Sequence, residues 1–137
     1  MMRTRAKICG LTRPQDIQSA VHAGADAIGL VFYPPSPRSV TAEQAKALMQ
    51  HIPAYVQSVG LFVNASADEI LAVLKEAPLD MLQFHGDETP DECESYRRPY
   101  IKALRVKPGD DLVAACQAYS KAKLALSIPA LPSPRRL

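Results

Sequence analysis

Ala27-Ile28-Gly29-Leu30-Val31-Phe32 is an apolar run of strand length with no polar residue in it. A strand with one wet face alternates apolar and polar side chains, so an unbroken run reads as a strand covered on both faces, as in a parallel sheet flanked by helices. The flanking sequence agrees. Upstream, Thr12-Arg13-Pro14-Gln15 predicts a helix start, Ile17, Ala20 and Val21 share one helical face, and Gly24 supplies a stop. Downstream, Thr41-Ala42-Glu43-Gln44 predicts a second helix carrying Ala45, Leu48, Met49 and Ile52, followed by the strand Ser58-Val59-Gly60-Leu61-Phe62-Val63.

The same unit recurs to the right. Ser66-Ala67-Asp68-Glu69 opens a helix with Ile70, Val73, Leu74 and Ala77 as its inner face, then Met81-Leu82-Gln83-Phe84 reads as a strand, and Thr89-Pro90-Asp91-Glu92 opens another helix. Each of these helix starts sets Ser or Thr three residues before Glu or Gln, the spacing at which two side chains cap each other's backbone N–H groups. Tyr100-Ile101-Lys102-Ala103-Leu104 is the fifth strand, Gly109 or Asp110 caps a helix with Leu112, Ala115, Cys116 and Tyr119, and Lys123-Leu124-Ala125-Leu126 starts a sixth strand. To the left, Lys7-Ile8-Cys9 is the first. A parallel α/β architecture follows, either an open doubly wound sheet or a (βα)8 barrel. The strands recur at roughly 23 residues, so eight units would need about 190 residues, and this chain reads as an incomplete barrel of about five and a half units. The expected division is a partial barrel over 1–126 and a Pro-rich tail over 127–137, since Pro129, Pro132 and Pro134 suit neither a helix nor a central strand.

Composition narrows the function. With 47% apolar and 22% charged residues the chain is an ordinary globular one, and its net charge of +2, without a basic block or any Trp, gives no reason to expect nucleic acid or an anionic membrane. No apolar run approaches a membrane span and no signal-peptide core follows Met1-Met2-Arg3-Thr4-Arg5, so a cytoplasmic location is expected. Cys9, Cys93 and Cys116 are an odd set without CxxC spacing, which favours reduced thiols over a disulfide framework or a zinc site.

In such a fold the chemistry sits at the carboxyl ends of the strands. Cys9 ends the first strand, Ser36-Pro37-Arg38 follows the second, Asn64 the third, and Gln83-Phe84-His85-Gly86-Asp87-Glu88 spans the end of the fourth. An ionisable thiol, a guanidinium able to grip a carboxylate or phosphate, and an imidazole together suggest proton transfer on an anionic small molecule. Each has a plainer reading: Cys9 as an inert small residue, Arg38 as a solvated loop charge, His85 as a partner of a backbone carbonyl. Cys93, Cys116, His22 and His51 fall on helical stretches and carry no chemical signal. Asp87 and Glu88 read as acidic residues favouring the next helix N-terminus. A metal set of Cys9, His85 and Asp87 lacks ligand spacing.

Taken together, Lys7-Ile8-Cys9-Gly10-Leu11-Thr12, Ala23-Gly24-Ala25-Asp26-Ala27-Ile28-Gly29, Ser36-Pro37-Arg38, Gly60-Leu61-Phe62-Val63-Asn64 and Gln83-Phe84-His85-Gly86-Asp87-Glu88 resemble phosphoribosylanthranilate isomerases of tryptophan biosynthesis. The resemblance spans Arg5 to Lys123. It implies a (βα)8 barrel, no cofactor or metal, and a phosphorylated small-molecule substrate, N-(5-phosphoribosyl)anthranilate, rearranged to a 1-deoxyribulose 5-phosphate derivative. It implies Cys9 as the general base, Arg38 at the anthranilate carboxylate, and Gln83 and His85 as further substrate-site residues. The family's general acid, an aspartate ending strand six, is expected near Ser127 or Ile128, and neither residue can donate that proton. The glycine-containing phosphate loops after the later strands are not in this sequence, so the 137-residue chain is expected to be inactive. Ser127-Ile128 can be encoded by bases that read GAT, an aspartate codon, in another frame, so a frameshift or early stop would account for the tail. The alternatives are a related phosphate-binding barrel enzyme, which would commonly place a lysine rather than Cys9 at strand one, and a non-catalytic barrel remnant.

Overall fold

The computed structural model describes residues 2–129. Strands and helices alternate throughout: β1 (Lys7–Cys9), α1 (Pro14–His22), β2 (Ala27–Val31), α2 (Ala42–Met49), β3 (Gln57–Phe62), α3 (Ala67–Glu76), β4 (Met81–Phe84), α4 (Pro90–Glu94), β5 (Tyr100–Val106), α5 (Leu112–Ala118) and β6 (Leu124–Pro129). The strands form one sheet in the order β1-β2-β3-β4-β5-β6, every neighbouring pair parallel. That is an open arc of (βα)8 type rather than a doubly wound sheet, in which the strand order would reverse.

Three of the four expected reciprocal caps form, at Thr41 with Gln44, Ser66 with Glu69 and Thr89 with Glu92. The first does not: α1 is capped by Arg13, whose side chain makes no cap hydrogen bond and pairs instead with Asp16. Proline decides this. A residue before proline is pushed out of the helical region, and Arg13, before Pro14, is extended at φ −126° and ψ 142°, so the helix begins after it. In Thr89-Pro90 the threonine itself is the pre-proline residue and the box closes. The stop at Gly24 is as expected: with φ +95° it lets the Gly24 and Ala25 N–H groups return to the Val21 and Ala20 carbonyls. At α5 the cap is Asp111 rather than Gly109 or Asp110, because the Asp110 carboxylate turns back to the Lys107 N–H and leaves Asp111 to receive that of Ala114.

Register assigns the faces. Cys9 lies opposite Gly29, Gly29 opposite Val59, Val59 opposite Met81, Leu61 opposite Gln83, Gln83 opposite Ile101 and Ile101 opposite Leu124, so these side chains share the inner face of the arc. The outer face carries Ile28, Leu30, Phe62, Leu82 and Phe84, which pack with Ile17, Ala45, Leu48 and Ile70 of the helices into the apolar core. Phe32 and Phe62 stack there with centroids 5.1 Å apart. The inner face lines an open trough of about 1260 Å³ bordered by Lys7, Ala27, Gln57, Met81, Ile101 and Leu126 among others. The boundary expected after Leu126 lies inside β6, which continues through Ser127 and Ile128 to Pro129 opposite Val106; the rest of the expected tail, 130–137, is outside the described residues. No described helix is long and apolar enough to cross a membrane.

Candidate active site

The carboxyl ends of β1 and β2 set a thiol and a guanidinium side by side. Cys9 is half-buried at the end of β1 and its strand partner is Gly29, where a Cβ would lie 2.7 Å from the Cys9 Sγ. Only a glycine leaves the sulfur its room. The next residue, Gly10, is left-handed at φ +83°, and its N–H donates to the Gly29 carbonyl at 2.9 Å. A Cβ on Gly10 would fall 2.8 Å from an Arg38 Nη1 and 2.9 Å from its Cδ, so the Arg38 side chain lies flat on bare backbone next to Cys9.

The β2–α2 loop is folded to make that approach. The Ser36 N–H donates to the Tyr33 carbonyl, the Ser39 N–H to the Ser36 carbonyl, and the Ser36 hydroxyl accepts the Arg38 N–H at 3.2 Å. Among the described residues the Arg38 guanidinium has no carboxylate partner, in contrast to Arg3 and Arg13, which pair with Asp26 and Asp16. Arg38 is exposed, and its unpaired guanidinium, laid against the residue after Cys9, is suited to hold the anionic part of a ligand.

Gln83 and His85 extend the inner face along and beyond β4. Gln83 is 3% exposed, its Nε2 approaches His85 Nδ1 at 3.4 Å, and its Oε1 is buried without a partner among the described residues. A buried acceptor left open at a cleft calls for a donor from a ligand or water. Burial, then the Arg105 cation, holds the His85 imidazole below its ordinary pKa and so favours its neutral form. Asn64 takes a left-handed φ of +52° after β3 and accepts the Asp87 N–H through its Oδ1 at 2.7 Å.

Glu88 is not a simple acidic residue before a helix, as its sequence position suggests. It is 6% exposed and pairs at 2.9 Å with Lys102, itself 2% exposed, between β4, β5 and the loops above them. Burial would raise the Glu88 pKa, but the Lys102 and Asn64 donors outweigh it and keep the carboxyl below its usual value. Asp87 stays exposed. The sequence does hold a signal for the pair: a lysine at the centre of the apolar strand Tyr100-Ile101-Lys102-Ala103-Leu104 requires a buried anion.

Strand parity separates the two positions at the end of β6. Ile128 lies opposite Arg105 and shares the inner face with Ile101, whereas Ser127 lies opposite Leu104 on the outer face. Of the two positions expected for the family's aspartate, Ser127 and Ile128, it is Ile128 that lies on the inner face. Cys93 is fully buried, with its thiol pushed up to about 12 by burial, and Cys116 is half-buried. Among the described residues no three His, Cys, Asp or Glu side chains are placed to hold a metal ion, the set Cys9, His85 and Asp87 included.

The chain is similar to known proteins of one family. The family model described as N-(5'-phosphoribosyl)anthranilate (PRA) isomerase matches residues 6–127. An N-(5'-phosphoribosyl)anthranilate isomerase of Pseudomonas fluorescens (strain SBW25) is 66% identical over 123 residues, covering 90% of this chain and 59% of that protein. The crystal structure of the phosphoribosyl anthranilate isomerase from Thermotoga maritima superposes with a TM-score of 0.86 at 35% identity, covering 96% of this chain and 64% of that one. Another structure of such an isomerase, in complex with reduced 1-(o-carboxyphenylamino)-1-deoxyribulose 5-phosphate, gives a TM-score of 0.83 at 35% identity over 92% of this chain and 66% of that one. The chain thus spans about three-fifths of the length of the curated relative.

Proposed function

The chain belongs to the N-(5'-phosphoribosyl)anthranilate isomerase family, and from that premise we propose that it carries the base and the carboxylate anchor for an Amadori rearrangement of N-(5'-phosphoribosyl)anthranilate in tryptophan biosynthesis. The observation that carries the reading is Arg38 laid on Gly10, unpaired among the described residues and adjacent to Cys9. Once the furanose has opened to an iminium, the C2 proton is acidified, and the Cys9 thiolate removes it to give the enamine that tautomerises to the ketose. Arg38 holds the anthranilate carboxylate through a planar fork while the sugar chain reaches Cys9. Gln83 offers its open Oε1 to a substrate hydroxyl, and the neutral imidazole of His85 is free to accept or donate a hydrogen bond at the same rim.

Ring opening needs a proton on the ring oxygen. At β6 the residue facing the site is Ile128, which has none to give. We therefore expect the 137-residue chain to bind substrate-like ligands without turning substrate over. The reading also implies a cytoplasmic location and a phosphorylated small-molecule substrate, without cofactor, nucleic acid or membrane partner; the free thiols Cys9, Cys93 and Cys116 suit such a compartment.

Titration calorimetry with reduced 1-(o-carboxyphenylamino)-1-deoxyribulose 5-phosphate tests the site. Saturable binding that Arg38→Ala weakens and Cys9→Ala preserves is the expected result. Absence of binding to the folded chain, or Arg38→Ala without effect, removes the proposal. Turnover by the purified chain at the rate of a full-length relative overturns the expected inactivity.

A further inference from the structure

The buried pair Lys102 and Glu88 lies on the outer side of the sheet, off the face that carries Cys9, Gln83 and Ile101. Lys102 pairs with Phe84 in register, and Phe84 belongs to the core between sheet and helices. The pair therefore does not reach the reacting atoms. Its hydrogen bonds do reach the backbone that carries the site.

Glu88 Oε1 accepts from Lys102 Nζ at 2.9 Å and from the Gly86 N–H at 2.8 Å, and its Oε2 accepts from the Asn64 N–H at 2.9 Å. Lys102 Nζ also donates to the Gly86 carbonyl at 2.7 Å. Both polar groups of Gly86 are thus held by the two ions, and a Cβ at Gly86 would run into the Asn64 side chain. On the other side of the residue, the His85 backbone N–H donates to the Phe62 carbonyl at 2.9 Å. Tyr119 closes the arrangement: its hydroxyl donates to the Glu88 carbonyl at 2.7 Å and its ring centroid lies 5.3 Å from Lys102 Nζ.

Stability alone is a poor account of this pair. A well-packed apolar couple of similar volume is commonly as stable as a buried ion pair or more so. What an apolar couple cannot do is bond two loops at once, one after β3 and one after β4. We propose that Glu88 and Lys102 are positioning residues, whose ion pair fixes the peptide after His85 and the loop at Asn64 that packs against it, so that the His85 side chain meets the ligand in a single arrangement. The proposal rests on the isomerase reading for the identity of the ligand but not for the arrangement itself.

The test is the Glu88→Gln/Lys102→Met chain, which removes both charges together and so leaves no unpaired buried ion. Its thermal midpoint is compared with that of the parent, as are the His85 imidazole resonances by NMR and the affinity for reduced 1-(o-carboxyphenylamino)-1-deoxyribulose 5-phosphate. A folded variant with broadened or multiple His85 resonances and an affinity lower by roughly ten- to a hundredfold is the expected result, the size of effect that misplacement by about an ångström produces. A folded variant with the parent's single His85 signal and unchanged affinity overturns the proposal. If the parent itself fails to bind, the isomerase reading falls while the His85 signal still decides the positioning role. Should the variant not fold, hydrogen exchange in the parent decides: the Gly86 and Asn64 amides are expected among the slowest in the chain, and exchange of either as fast as an open loop overturns the clamp.

Discussion

At the scale of single residues, two glycines make room for the chemistry. Gly29→Ala would place a methyl 2.7 Å from the Cys9 sulfur and 3.1 Å from its Cα, a backbone contact that cannot rotate away. The thiol must move, so this substitution is expected to change the rate at which iodoacetamide alkylates Cys9 while the circular dichroism of the fold persists; a parent-like rate of alkylation would show that the sulfur has kept its place. Cysteine labelling gives an independent check. Cys93 is fully buried and its thiol titrates near 12, so at pH 8 it is expected to resist iodoacetamide until the chain unfolds, whereas the half-buried Cys9 and Cys116 are accessible without unfolding. Modification of Cys93 in the native chain at the rate of an exposed thiol would refute that burial. Parity at β6 makes a third residue-level prediction. Any turnover gained by adding an acid is expected from Ile128→Asp and not from Ser127→Asp, and the opposite result would mean that β6 is out of register by one.

Helix starts show what local sequence can and cannot specify. Thr41→Ala, Ser66→Ala and Thr89→Ala are each expected to cost about 1 kcal/mol in denaturant unfolding, while Thr12→Ala, whose hydroxyl caps nothing, is expected to cost far less. Equal losses at all four would contradict the Arg13 cap. The repeat itself was legible because period and spacing are local properties: apolar runs, capping residues and glycine stops each act within a few residues. The failure at Thr12 comes from two local rules in conflict, the capping box and the pre-proline restriction, of which the steric one wins. At α5 three consecutive residues could each have ended the loop, and only the turn that draws Asp110 toward Lys107 selects Asp111. For the candidate site, what was legible is position: Cys9, Gln83 and His85 stand at or just past strand ends and Arg38 in the loop after β2, as expected, while their roles are the proposal made above. Its support was legible only in part: Lys102 within an apolar strand calls for a buried anion, but Glu88 is fourteen residues away and meets it only through the pairing of β4 with β5.

For the whole molecule, Asp26, Glu88 and His85 are among the titratable groups that make stability fall with acid. Asp26, bonded to Arg3 and the Ala6 N–H, is held at about 2 against an ordinary 3.8, and Glu88 lies below its ordinary 4.5. A depressed carboxyl stabilises the fold above its unfolded value and loses that contribution as pH falls through the folded one, so the Asp26 part is lost between 3.8 and about 2 and the Glu88 part from 4.5 downward. His85 acts with the same sign, because the unfolded imidazole takes a proton near 6.5 while the buried one resists it. Urea midpoints are therefore expected to decline steadily from pH 7 to pH 3, and Asp26→Asn to flatten the curve below 3.8; a midpoint insensitive to pH would exclude these linkages. The sheet order has a consequence for how the molecule is made. Among the described residues every strand pairs with the strand next to it in sequence, so each of their hydrogen-bonded ladders joins neighbouring segments. On the ribosome each unit can dock on its predecessor as it emerges, and Gly29, which lies opposite Cys9, is the first partner strand's contribution to the seat of its thiol. The segments that form the seat of the Cys9 thiol are thus translated well before Gln83, His85 and the Glu88–Lys102 pair.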